Sequence, residues 1–160
     1  MMNDQSVRLD RMRFTKNTTS SRLVLLAIVL DALYFVSLYR INLDYYYNMM
    51  MGASILYNLI FMLAAFLASE GVKNRKTGYT GMLIGLGIMQ FVRIFYLPAK
   101  AVVATVKIQD VSYAVMDKSQ YIFVVAMLAI SGVMCIAGAI ISFINNKTLA
   151  DYNRAMGHNA

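Results

Sequence analysis

The sequence is poor in the residues that build most sites. It holds one cysteine, Cys135, one histidine, His158, and one proline, Pro98. A lone cysteine closes no intramolecular disulfide, so cysteine usage says nothing of redox compartment. Cys135 lies near Ser131, Gly132 and Gly138 in an apolar stretch, where it reads as a small packing residue. A single histidine near the end of the chain supplies no pair for haem or metal. Charge is scarce as well: 14% of residues are Asp, Glu, Lys or Arg, against about 25% in an ordinary soluble domain. The expectation is no catalytic set, no cofactor and no metal.

What the chain has instead is apolar residues in blocks. Of 160 residues 59% are hydrophobic, gathered into four long runs separated by short charged segments. That is the pattern of a single-domain polytopic membrane protein. The formal net charge of +7 fits Lys and Arg flanking membrane spans beside an anionic leaflet. No nucleic-acid module interleaves these basic residues with exposed aromatics, so a nucleic-acid partner is not expected. The fold class is therefore all-α, an integral membrane four-helix transmembrane bundle.

Residues 1–22 form a polar, basic arm. Arg8 to Phe14 suits a short amphipathic turn on the membrane surface, and a disordered arm fits equally. The Asn17–Ser21 stretch reads as a loop that ends in helix-capping residues. The runs that follow are about 23–39, 49–69, 78–97 and 121–144. The first is read as a retained span rather than a signal peptide, because Asp31 interrupts it and no cleavage site follows. Tyr45, Tyr46 and Tyr47 in the first connection suit an aromatic belt. Ser54, Asn58, Ala65 and Ser69 make a small or polar stripe on the second run. Gly71 reads as a C-cap before the short connection 70–77, and Pro98 as the end of the third run. The connection 99–120 alternates only in part, which leaves a surface helix and an extended loop both open. Asp117 or Ser119 is expected to cap the last helix, and residues 145–160 form a polar tail.

Ten Lys and Arg fall in the arm, the second connection and the tail, against four in the other two connections. The bias predicts an N-in, C-in protein, with both termini cytoplasmic, an exoplasmic 99–120 loop, and a place in the plasma (inner) membrane.

Two sets of residues stand out inside the runs. Gly81 and Gly85 form a GxxxG pair, and Met89 and Arg93 continue that row. Ser131, Cys135 and Ala139 make a small stripe on the fourth run. Both sets are helix-packing candidates, because small residues let helices approach closely in lipid. The second set is polar: Asp31, Asn58, Gln90 and Arg93 lie roughly 13 to 21 Å from the basic ends of their helices, in one band. A charge in hydrocarbon costs at least about 2.5 kcal/mol. An inward-facing Asp31–Arg93 pair follows, with snorkelling of Arg93 to the far interface as the competitor.

Enzyme signatures are missing, including the aspartyl pair of lipoprotein signal peptidases and the DGxxxAR of phosphatidyl transferases. The four-span size, with Asp31 in the first run, resembles the small multidrug transporters. The longer chain and different loops depart from that family, and no residue role carries over. The expected function is non-enzymatic: an accessory or scaffold subunit of a larger membrane complex. Its partners are then the lipid bilayer and a membrane protein or a second copy of itself. The alternative is a small oligomeric transporter that uses Asp31 as a proton or cation site.

Overall fold

Four helices carry the apolar runs, in a computed structural model that describes residues 4–38, 48–108 and 111–156. A short helix, α1 (Asp4–Phe14), precedes α2 (Thr18–Leu38), α3 (Asn48–Lys73) and α4 (Thr77–Ala101). A β-hairpin of β1 (Thr105–Ile108) and β2 (Val111–Ala114) then leads into α5 (Lys118–Ala155). Each of α2 to α5 is long and apolar enough to cross a bilayer. In hydrocarbon the backbone must satisfy its own hydrogen bonds, which a helix does within one segment. Tyr45–Tyr47, Arg40 and His158 lie outside the described residues.

The helices form a ring in which α2 packs on α3 and α5, and α4 packs on α3 and α5. Neighbours run antiparallel. The start of α2 meets the end of α3, where the Ser21 and Ser69 hydroxyls lie 2.8 Å apart. It also meets the late part of α5, where Ser20 Oγ donates to the Gly138 carbonyl at 2.5 Å. Thr80 at the start of α4 lies 3.1 Å from Ser142 of α5, hydroxyl to hydroxyl. Lipid gives little hydrophobic drive between helices, so such small-residue contacts and interhelical hydrogen bonds hold the bundle. Leu, Val, Ile and Phe side chains on the outer faces remain exposed, as a lipid-facing belt requires.

Several boundaries differ from the sequence expectation. α2 starts at Thr18, so Thr18–Ser21 form its first turn rather than a loop. The Asn17 carbonyl accepts from the Ser21 N–H, and the Asn17 N–H donates to Lys73 O at 3.0 Å. Gly71 is not a C-cap: α3 runs through it to Lys73, and a Cβ there would overlap the Tyr79 ring. The stop comes from Arg75, whose φ of 59° is left-handed. The Lys76 N–H bonds to Gly71 O and the Arg75 N–H to Val72 O, the Schellman pattern. Arg75 also donates to Thr15 O from Nε and Nη2, at 3.2 and 3.1 Å. Pro98 does not end α4, which continues to Ala101. Its fixed φ is helical and, so near the terminus, only one carbonyl loses its donor.

The 99–120 connection is a hairpin, with Thr105 opposite Ala114 and Lys107 opposite Ser112. All of β2 is exposed, so no buried face imposes a clean alternation. Val115 and Met116 beyond it are buried against Leu97, Ala101 and Val124, closing that end of the bundle. The Asp117 N–H donates to Gln120 Oε1 at 3.1 Å at the start of α5. Most of the 145–160 tail is helix, because α5 extends to Ala155.

The interior is layered. One apolar cluster, including Val24, Phe61, Ala65, Leu83 and Cys135, lies toward the start of α2. Another, including Leu97, Val115, Val124 and Leu128, lies toward the hairpin. Polar side chains occupy the level between them.

Candidate functional site

That polar layer is centred on Arg93. On α4 the buried residues include Thr80, Leu83, Gly87, Gln90, Arg93 and Leu97. Leu83, Gln90 and Leu97 recur at sevens, a 3.5-residue seam of the coiled-coil kind. Gln90 and Arg93, three apart, point inward together.

Arg93 Nη1 donates to Asp31 Oδ1 at 2.8 Å, joining α4 to α2. Arg93 Nη2 donates to Asn58 Oδ1 of α3. Gln90 Nε2 donates to the same Asp31 oxygen at 2.9 Å and to Ser131 Oγ of α5 at 3.3 Å. The Ser131 hydroxyl in turn donates to Ala27 O at 3.1 Å. All four spanning helices thus meet in one network. Arg93 is 6% exposed, while Asp31, Asn58 and Gln90 are fully buried.

The guanidinium also lies over two aromatic rings. Its central carbon lies 4.2 Å from the Tyr34 ring centroid and 4.8 Å from that of Tyr57. Cation–π contacts of this kind are worth about 2 kcal/mol when desolvated. Arginine suits the place because its planar fork binds carboxylate and amide in the plane and aromatic rings above it. Asp31 Oδ2 and Asn58 Nδ2 are buried without a partner among the described residues.

The sequence-derived candidates therefore divide. Asp31, Asn58, Gln90 and Arg93 are brought together by the structure. Ser131, Cys135 and Ala139 all face the interior of the bundle, and Ser131 belongs to the polar network itself. Gly81 and Gly85 do not pack against the described residues: among these, a Cβ on either meets nothing within 4 Å. The i+4 row that linked them to Arg93 drifts by about 40° per step, so Gly81 ends up roughly 120° away from Arg93. The close approach falls instead at Gly87. A Cβ there would sit 3.0 Å from Gly132 O, and one on Gly132 would sit 3.1 Å from Gly87 O.

Tyr34, Tyr57, Gly87 and Gly132 were not singled out by the sequence. Tyr34 lies three residues after Asp31 and so shares its face, and Tyr57 is next to Asn58. The signal for Gly87 was its place in the seven-residue recurrence Thr80, Gly87, Ile94.

The network can hold helix register and neutralise a buried charge. Among the described residues no three His, Cys, Asp or Glu side chains gather as a metal site. No protein-family model, curated protein or solved structure matches the chain. The four apolar helices mark it as an integral membrane protein.

Proposed function

We propose that this chain is a non-enzymatic accessory or scaffold subunit of a larger membrane complex. In this reading it lies in the plasma (inner) membrane with both termini cytoplasmic. The observation that carries it is the outward glycine face of α4. Gly81 and Gly85 stand exposed, with open space where a Cβ would be, on a helix whose opposite face is already fully engaged. A GxxxG face turned to lipid lets another helix reach van der Waals contact with the backbone. The Arg93 network supports the same reading, since its charge is matched inside the chain and serves register.

The test is co-purification from the native membrane in mild detergent. A membrane partner, or a second copy, should accompany the wild type and be lost with Gly85→Leu, while the variant's own unfolding midpoint stays unchanged. A wild-type protein that elutes as a lone monomer refutes the proposal.

A second reading, the transporter, draws on one observation: Asp31 Oδ2 is buried with no described partner. It would leave one acceptor on the carboxylate for a proton or cation. Ion-coupled uptake in proteoliposomes that survives Asp31→Asn removes it.

A further inference from the structure

A groove of about 410 Å³ runs between the outer faces of α4 and α5, away from the Arg93 network. Thr77, Gly81 and Ile84 line it from α4, and Phe143, Asn146 and Lys147 from α5. Its walls change character along its length. Gly81, Ile84 and Phe143 belong to the apolar part of the spans. Thr77, Asn146 and Lys147 lie where those spans give way to polar sequence, beside Lys76. The absence of a side chain on Gly81 leaves the middle of the groove open.

We propose that this groove binds one anionic glycerophospholipid whose headgroup carries hydroxyls, with an acyl chain along Ile84 and Phe143. Four features specify this occupant. The groove crosses the boundary between apolar and polar sequence, so its ligand must be amphiphilic. Lys147 at the mouth is exposed and makes no ion pair among the described residues, and no lining residue is acidic. The headgroup is therefore negative. Asn146 has both its amide nitrogen and its amide oxygen buried without a partner among the described residues. A phosphate oxygen would accept from the nitrogen, and a headgroup hydroxyl would donate to the oxygen. Both atoms are hidden from water, so engaging the headgroup takes a turn of the Asn146 side chain. The preceding residue, Asn145, donates instead to Asn17 Oδ1 at 3.3 Å and holds the start of α2. Adjacent asparagines on α5 thus face different tasks.

The groove shares Gly81 with the partner face proposed above but is not lined by Gly85, so Gly85→Leu, which should lose the partner and keep the lipid, separates the two. The experiment uses the full chain, delipidated in a neutral detergent and titrated with dioleoylphosphatidylglycerol or dioleoylphosphatidylcholine. Native mass spectrometry reads the bound lipid, and the unfolding midpoint reads its effect. The wild type should retain phosphatidylglycerol in preference to phosphatidylcholine. Lys147→Ala should weaken phosphatidylglycerol about fivefold, the factor expected for one basic residue beside an anionic lipid, with phosphatidylcholine unchanged. Gly81→Leu should fill the groove and remove the preference. Arg22→Ala, an exposed cation at the same end but on α2, should bind as the wild type does. Equal losses from Lys147→Ala and Arg22→Ala would mean a diffuse basic belt and overturn the site. So would no loss from Lys147→Ala, or a midpoint shift from inorganic phosphate as large as that from the lipid. Should Gly81→Leu not fold, the Lys147 and Arg22 variants decide between these outcomes.

Discussion

Gly87 of α4 and Gly132 of α5 lie against each other, each close enough that a Cβ would sit about 3 Å from the other's carbonyl oxygen. Ile136 closes the same spot from α5, its Cγ1 2.6 Å from a Cβ built on Gly87. Gly87→Leu should therefore destabilise the bundle by about 1–3 kcal/mol, the usual range for overpacking. Gly85→Leu should stay within about 0.5 kcal/mol, as for an ordinary surface change. Reversible unfolding in mixed micelles measures both. Equal effects would mean that α4 does not approach α5 along this face.

The Asp31–Arg93 pair makes a prediction of non-additivity. Removing one partner of a buried pair typically costs about 3–5 kcal/mol, while replacing both can be nearly neutral. Helices separated within a bilayer also find polar partners, which reduces the effect to about 1–2 kcal/mol. Asp31→Asn and Arg93→Gln should each lower stability, and the double variant should recover part of the loss. Simple addition of the two losses in a double-mutant cycle would show that the residues do not interact.

Arg93→Lys separates charge from shape. It keeps the cation but loses the planar fork that reaches Asp31 and Asn58 together and lies over two tyrosine rings. Lysine should therefore recover less than half of the stability lost in Arg93→Gln. Full recovery would reduce the site to a point charge.

Acid should loosen the start of α5. The Ser119 hydroxyl donates to Asp117 Oδ2 at 2.8 Å. That bond, with those from the Lys118 and Ser119 backbone amides, holds the Asp117 carboxyl below its ordinary value. A carboxyl lowered on folding stabilises the fold above its unfolded pKa, and this is lost as pH falls through the folded one. The window thus lies below about pH 4. Amide protection factors in the first turn of α5, taken against the intrinsic exchange rate at each pH, should fall there, and Asp117→Asn should remove that pH step. An unchanged step in the variant would assign it to another group.

The charge bias makes a prediction of sidedness. Asn17 and Asn145 are hydrogen-bonded, so the start of α2 and the late part of α5 share one end of the bundle, opposite the hairpin. Reporter fusions after Ala160 and within the hairpin should report opposite sides, with the first cytoplasmic. The reverse assignment would show that the Lys and Arg count does not set orientation here.

The bundle was legible because lipid imposes its demand residue by residue. About 20 apolar residues must run together to span, and four such runs are plain. Asp31, Asn58, Gln90 and Arg93 were legible as a group because depth follows from residue count along a helix. Rotation does not follow so easily, since an i+4 row slides about 40° around the helix at each step. That drift is why Gly81 and Gly85 were aligned with Arg93 although Gly87 makes the close approach. Tyr34 and Tyr57 were hidden because an aromatic in an apolar run carries no mark that a cation lies over its ring. The hairpin was illegible for another reason: with all of β2 exposed, no face had to alternate.

The ion pair also sets an order of events during synthesis. Arg93 is made 62 residues after Asp31, roughly 3–12 s later at ordinary elongation rates. Over that interval the first span carries an acidic residue, worth about 2.5–3.5 kcal/mol against insertion at a helix centre, without its intended cation. The first and third spans thus mature together, and the second must wait beside them with the Asn58 amide still unengaged by arginine. A chain arrested before Arg93 has the lengths of two membrane helices but lacks the charge that lets the first one settle.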